Sequence, residues 1–159
     1  MSYLLWKTLH IASVVLFLGN ITTGLFWAAQ ARRSHDLSLL AATFDSIGKS
    51  DRWLTLPSVA GIIISGVAAA SLAGLPLLRT PWILWSLVLF GVSGIIFGIR
   101  VAPLQRELAT LARKGNADEI AWKDINRAYL RWELWGLAAL LTPAAALVLM
   151  VLKPVLPAL

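Results

Sequence analysis

The sequence predicts an all-α polytopic membrane protein. It is read as a four-helix bundle with both termini outside and its third and fourth helices extended as a cytoplasmic hairpin. Three observations predict this. Hydrophobic residues make up 58% of the 159 residues and charged residues 14%, against about 45–50% and about 25% in soluble domains. The apolar residues fall into four long blocks, each near the length of about 20 residues that crosses the hydrocarbon core. The basic residues crowd alternate connections between the blocks, as the positive-inside bias leads one to expect. The length is that of one domain.

The first block runs over about 3–31, uncharged after Lys7 and closed by Arg32 and Arg33. Ala29-Gln30-Ala31 has the small-x-small form of a leader cleavage site. The apolar run is longer than a leader's core and no basic region precedes it, so the block is expected to remain as a span. The second block covers about 53–78 and opens on Thr55-Leu56-Pro57. The third covers about 81–100, with Pro81 at a first-turn position and Arg100 closing it. The fourth covers about 132–152, ahead of Lys153-Pro154.

The connection after the first block carries Arg32, Arg33, Lys49 and Arg52, and the one after the third carries seven lysines and arginines from Arg100 to Arg131. The connection between the second and third has only Arg79. The two basic connections are therefore expected in the cytoplasm, and a location in the cell inner membrane goes with that. Trp6, Trp82 and Trp85 would mark the outer interface, and Trp27, Trp53, Trp132 and Trp135 the inner one. Leu104–Lys114 continues the third helix at helical spacing, Gly115-Asn116 breaks it, and Asp118 and Glu119 suit the start of a new helix that runs into the fourth span. Leu108, Leu111, Ile120, Trp122, Ile125 and Tyr129 offer that hairpin apolar contacts.

Small residues at four-residue spacing let helices approach closely in lipid. Span two has Gly61-x3-Ser65-x3-Ala69 beside Gly66-x3-Ala70-x3-Gly74, and span three has Gly94-x3-Gly98. In span one Tyr3, Trp6, His10, Ser13, Phe17, Asn20, Gly24, Trp27 and Ala31 recur at three- and four-residue steps, forming one seam. Polar groups facing lipid are costly, so this seam should face the bundle.

An ionisable residue inside a span is a functional candidate by default. Lys7 and His10 lie one turn apart near the outer end of span one. His10 has two readings: an interhelical hydrogen bond, or an axial haem ligand or proton carrier, since imidazole is the commonest metal ligand. Lys7 can snorkel to the headgroups. Arg79 could hold an anionic group such as a propionate near them. Asn20, about 15 Å further along, is expected to tie helices together. Glu133 is expected in an Arg–Glu pair near the headgroups, and His35 in solvent. Asp36, Asp45 and Asp51 offset local basic charge, and Asp51 can cap span two.

The chain has no cysteine, which excludes disulfides, thiolate metal sites and cysteine nucleophiles. Two histidines argue against a multi-histidine metal centre in one chain. The net charge of +6 flanks spans and forms no single patch, so nucleic acid is not the expected partner. No nucleophile–base arrangement or phosphate-cradling glycine loop is visible.

Trp6-Lys7-x2-His10, Phe17-Leu18-Gly19, Arg32-Arg33, Ser50-Asp51-Arg52-Trp53-Leu54-Thr55-x-Pro57, Thr80-Pro81-Trp82 and Leu152-Lys153-Pro154 together resemble a bacterial family of predicted four-span integral membrane proteins of unknown function. The resemblance covers most of the chain. A looser similarity extends to the small membrane-bound protoporphyrinogen oxidase and to copper-resistance D-type membrane domains. The oxidase shares an early Lys-x-x-His, the glutamate at Glu133 and the Lys-Pro end. Trp132 stands where it has asparagine, and span three lacks its early lysine. The resemblance implies haem b on the span-one histidine, here His10.

Three functions follow as expectations. One is a haem- or porphyrin-binding redox protein using His10, with Lys7 and Arg79 beside it. Another is a subunit of a small-molecule or metal transporter, which would need a homo-oligomer. The third is a non-catalytic scaffold whose membrane partner docks on the hairpin. The lipid bilayer is the partner in all three.

Overall fold

The computed structural model describes residues 2–115 and 119–155. Asn116, read as part of the helix break, and Asp118, read as the start of the next helix, lie outside the described residues, as do the side chains of Glu119 and Ile120. Every regular element among the described residues is helical.

The first helix, α1 (Ser2–Arg33), has 32 residues, about 48 Å at 1.5 Å per residue, so it outruns a hydrocarbon core of about 30 Å. Arg32 and Arg33 occupy its last turn, where cations suit the negative end of the helix dipole. His35 then turns the chain in a left-handed conformation, φ 54°. Asp36 caps the next helix, α2 (Leu37–Ser50). Its carboxylate accepts from the Ser38 hydroxyl at 2.7 Å, the Ser38 N–H at 2.8 Å and the Leu39 N–H at 3.1 Å. The Ser38 hydroxyl bond above all, then the Leu39 and Ser38 backbone bonds, hold this carboxyl below the usual aspartate range.

The segment expected to be a polar connection up to Arg52 is therefore mostly helix. Leu40, Ala41, Phe44 and Ile47 form a buried stripe along α2 at amphipathic spacing. The helix then continues through a single π turn, Asp51–Thr55, into α3 (Leu56–Leu72). Asp51 does not cap span two, because no helix begins there. Span two also ends earlier than the expected Leu78. Gly74 takes φ 67°, Leu75 N–H bonds the Ala70 carbonyl at 3.0 Å and Gly74 N–H the Ser71 carbonyl at 3.1 Å. That is a Schellman ending, which glycine supports without a Cβ penalty.

After the short connection come α4 (Pro81–Ile96), a second π turn (Phe97–Val101) and α5 (Ala102–Lys114), then α6 (Glu119–Leu152). The third and fourth spans thus extend beyond the membrane as a hairpin, as expected. α2 lies against it, so the extension is a three-helix layer. Its core joins Phe44, Leu104, Leu108, Ile125, Tyr129 and Trp132 with the alanines at the end of α1. Trp132 is 3% exposed and packs edge-on to Phe44 with centroids 5.0 Å apart. It is a core residue and no member of the inner aromatic belt, because α2 covers it. Trp53 is 75% exposed.

Four antiparallel crossings return the chain to the face it started from. We call that face the terminal end and the opposite one the basic end. Within the spans α1 pairs with α3 and α4 with α6. Among the described residues α4 makes no close backbone approach to α1 or α3. The pairs meet through Phe17 and Phe90, with centroids 5.5 Å apart, and through the approach of Leu25 to Gly136. The outward faces carry residues such as Leu5, Val15, Ile64, Ile95, Leu141 and Val148, the apolar surface that lipid solvates.

Candidate functional site

The seam of span one faces inward through Phe17, Asn20, Gly24 and Ala31 and is exposed at Tyr3 and Trp27. A 3.5-residue seam drifts about 20° per heptad around a straight helix, and Ala28, fully buried, takes the inward position in place of Trp27. His10 lies on this seam against α3. Its Nδ1 is 2.9 Å from the Ile62 carbonyl oxygen, so Nδ1–H is the donor. A Cβ built on Gly66 would lie 2.9 Å from the ring's Cε1. Gly66 is thus the socket for the imidazole, and Gly61 does the same for the Ser13 hydroxyl. The expected small-residue packing holds for α3. It does not hold for Gly94 and Gly98 in span three, where an added Cβ meets no atom within 4 Å.

Lys7 and Arg79 are exposed. Among the described residues no hydrogen bond or ion pair joins either of them to His10. Glu133 does not pair with Arg131. Residues two apart on a helix point to different faces, and Glu133 instead accepts the Tyr129 hydroxyl at 3.3 Å. His35 is exposed as expected, with its ring 5.0 Å from that of Trp122.

The polar groups that do converge lie nearer the basic end. A cavity of about 220 Å³ separates the two helix pairs below Phe17 and Phe90. Its wall is mostly apolar, with Asn20, Asp51, Thr55, Ser93, Gln105 and Trp132 supplying polar atoms. Asn20 Nδ2 donates to Thr55 Oγ1 at 2.8 Å, and Thr55 Oγ1 donates to Asp51 Oδ1 at 3.0 Å. Gln105 Nε2 donates to Asp51 Oδ2 at 3.0 Å. With both amide nitrogens used in this way, the Asn20 and Gln105 oxygens remain as acceptors. The Trp132 indole N–H is buried with no hydrogen-bond partner, a costly state for a polar group.

Three prolines shape this region. A proline inside a helix removes an N–H and its ring presses on the carbonyl four residues back. For Pro57 and Pro103 those carbonyls belong to Trp53 and Ile99, in the middle of the two π turns. Widening to π geometry relieves the clash, and such turns often sit at functional sites. For Pro143 the freed carbonyl is that of Ala139, and Ser93 Oγ of α4 donates to it at 2.6 Å. All three distortions flank the cavity, which Gly94 leaves open.

Sequence reasoning read Asn20 as a tie between helices and missed the rest of this set. The available signal was the company of the prolines. Asp51, Thr55, Ser93 and Gln105 are polar residues toward the basic ends of spans whose prolines force irregular backbone, and irregular backbone at membrane depth is tolerated where it lines a cavity. No group of three or more metal-ligating side chains occurs among the described residues.

Four apolar helices around a polar-floored cavity define an integral membrane protein. The chain belongs to the family described as predicted integral membrane protein (DUF2269), whose model matches residues 4–154. No curated protein and no solved structure matches it.

Proposed function

We propose that the protein binds a small amphipathic molecule in the cavity between its two helix pairs. One observation carries this reading: four hydrogen-bonding side chains from three helical segments, with the unpartnered Trp132 N–H, converge on an otherwise apolar cavity. That is the usual make-up of a small-molecule site. The ligand has an apolar body for the phenylalanine and aliphatic wall. Its head accepts one hydrogen bond from Trp132 and donates another to the Asn20 or Gln105 oxygen, as a hydroxyl does. The charge distribution supports an orientation with the basic end in the cytoplasm and both termini outside, in a cell inner membrane.

The test is extraction of purified protein followed by mass spectrometry. The wild type and Arg79→Gln are expected to retain the same small molecule. Gly94→Leu, which grows into the open space, is expected to lose it, and Asn20→Leu to hold it about ten-fold less firmly. An identical extract from all four proteins would overturn the reading.

A second reading, haem b on His10, has one observation in its favour. With Nδ1–H given to the Ile62 carbonyl, the Nε2 lone pair is left for a metal, the usual state of a ligating histidine. Bound haem would supply one-electron redox chemistry, and His10 would be the residue that holds it. Lys7 and Arg79, both exposed, are the cations of this end that a propionate would need. A Soret band after haem supplementation that disappears in His10→Ala is the expected sign of this reading, and colourless protein removes it.

A further inference from the structure

A second cavity, about 340 Å³, opens at the basic end between α1 and α6. It is lined by Arg32, Arg33, His35, Asn126, Tyr129 and Glu133, together with Ala29. None of these residues lines the first cavity.

Arg32 is fixed here on two sides. Its Nε donates to Asn126 Oδ1 at 2.9 Å, and its guanidinium carbon stands 4.6 Å from the centroid of the Tyr129 ring. Tyr129 is buried and its hydroxyl is given to Glu133. An arginine held through Nε and across its face keeps both terminal nitrogens for a forked contact with an oxyanion. Arg33 follows on the same last turn of α1, exposed and without a hydrogen bond or ion pair among the described residues. His35 closes the cavity from the left-handed turn beyond it. That conformation is unusual for a residue other than glycine, and the ring's contact with Trp122 holds it.

Charge and depth select the ligand. Two guanidinium groups against one carboxylate leave a net positive charge, which a phosphodiester's single negative charge neutralises. Glu133 repels a second negative charge and accepts from a hydroxyl. Trp27, exposed on α1 as interfacial tryptophans are, marks the membrane boundary. Arg32 and Arg33 lie about 8–9 Å beyond it along the helix, at the level of lipid phosphates.

We infer that this cavity binds the phosphate of an anionic phospholipid whose headgroup bears hydroxyls, with Arg32 and Arg33 on the phosphate and Glu133 on a headgroup hydroxyl. Basic pockets between spans are a known way of recognising such headgroups. This site stands independently of the small-molecule reading.

The experiment measures thermal unfolding of the full chain in detergent with added phosphatidylglycerol, phosphatidic acid, phosphatidylcholine or sn-glycerol 3-phosphate. Phosphatidylglycerol is expected to raise Tm well beyond phosphatidylcholine. Arg33→Gln, which breaks no hydrogen bond or ion pair among the described residues, is expected to need about five-fold more phosphatidylglycerol for the same shift. Glu133→Gln is expected to weaken discrimination in favour of phosphatidylglycerol over a phosphatidic acid. Arg113→Gln, on the far hairpin, is expected to respond as wild type does. Equal shifts with phosphatidylcholine, or an undiminished response in Arg33→Gln, would overturn the site. A full shift with glycerol phosphate alone would overturn the lipid as its source.

Discussion

At Gly66 the absence of one carbon sets how α1 meets α3. The imidazole of His10 fills the volume that any other side chain would take, with Cε1 2.9 Å from the position of an added Cβ. A flat ring wedged between two backbones cannot rotate away cheaply, so Gly66→Ala must separate the helices or expel the ring from its bond to Ile62. The expected cost is about 1–3 kcal/mol, the range of small overpacking substitutions. Gly94→Ala offers the contrasting case. Nothing lies within 4 Å of its Cβ position, and alanine gains about 0.5–1 kcal/mol over glycine within a helix. Unfolding both variants in mixed micelles should therefore give shifts of opposite sign. Equal destabilisation would mean that span three packs through Gly94 after all. The same geometry explains why His10 was legible in the sequence while its setting was not. A histidine on a polar seam announces itself, but its socket is a glycine on another helix, and one glycine among 11 carries no mark of its partner.

Among the elements, the prolines do most to separate this fold from four plain spans. Pro143 frees the Ala139 carbonyl in the middle of α6, and Ser93 of α4 supplies the missing donor at 2.6 Å. Ser86 makes a similar contact one level up, reaching the Ala146 carbonyl at 3.2 Å. In lipid no water can replace such a donor. Ser93→Ala should therefore cost about 1–2 kcal/mol. In a Pro143→Ala background the new N–H of residue 143 can satisfy Ala139 within the helix, and the loss of Ser93 should then cost at least about 0.5 kcal/mol less. Additive effects in this double-mutant cycle would show that the serine does not answer the proline. The spans themselves were plain from hydropathy because lipid demands about 20 apolar residues whatever their packing. α2 was hidden for the converse reason. Its buried face is four residues on a short amphipathic helix, and between two longer apolar blocks Leu40, Ala41, Phe44 and Ile47 read as a connection. The cavity was hidden because its polar members come from α1, the first π turn, α4, α5 and α6, and each taken alone looks like a cap, a tie or a headgroup contact.

For the molecule as a whole, the well-packed hydrophobic core lies at the basic end, where α2, α5 and the first half of α6 close around the end of α1. The spans beyond it expose their apolar side chains and rely on lipid. All of the 14 lysines and arginines except Lys7, Arg79 and Lys153 belong to the basic end. This asymmetry favours one insertion, with the packed layer retained in the cytoplasm and the terminal end outside. Compact folding of the layer acts in the same direction, since a stretch whose core includes Leu108, Ile125 and Tyr129 is no longer an extended chain that can be drawn across the bilayer. The chain has no cysteine, so single introduced cysteines report orientation without background. Arg79→Cys lies in the short α3–α4 connection and Lys114→Cys at the tip of α5, and both positions are exposed. With a membrane-impermeant maleimide on intact cells, residue 79 should label and residue 114 should label only after permeabilisation. The reverse pattern would place the arginine-lined cavity on the outer leaflet and the Lys7–His10 end inside. Labelling of both sites in intact cells would show that neither orientation is fixed. The expected pattern fixes which leaflet must supply the phospholipid for Arg32 and Arg33. It also fixes which side can deliver the polar head of the proposed ligand to Trp132, because the polar floor of that cavity lies toward the same basic end as the arginines.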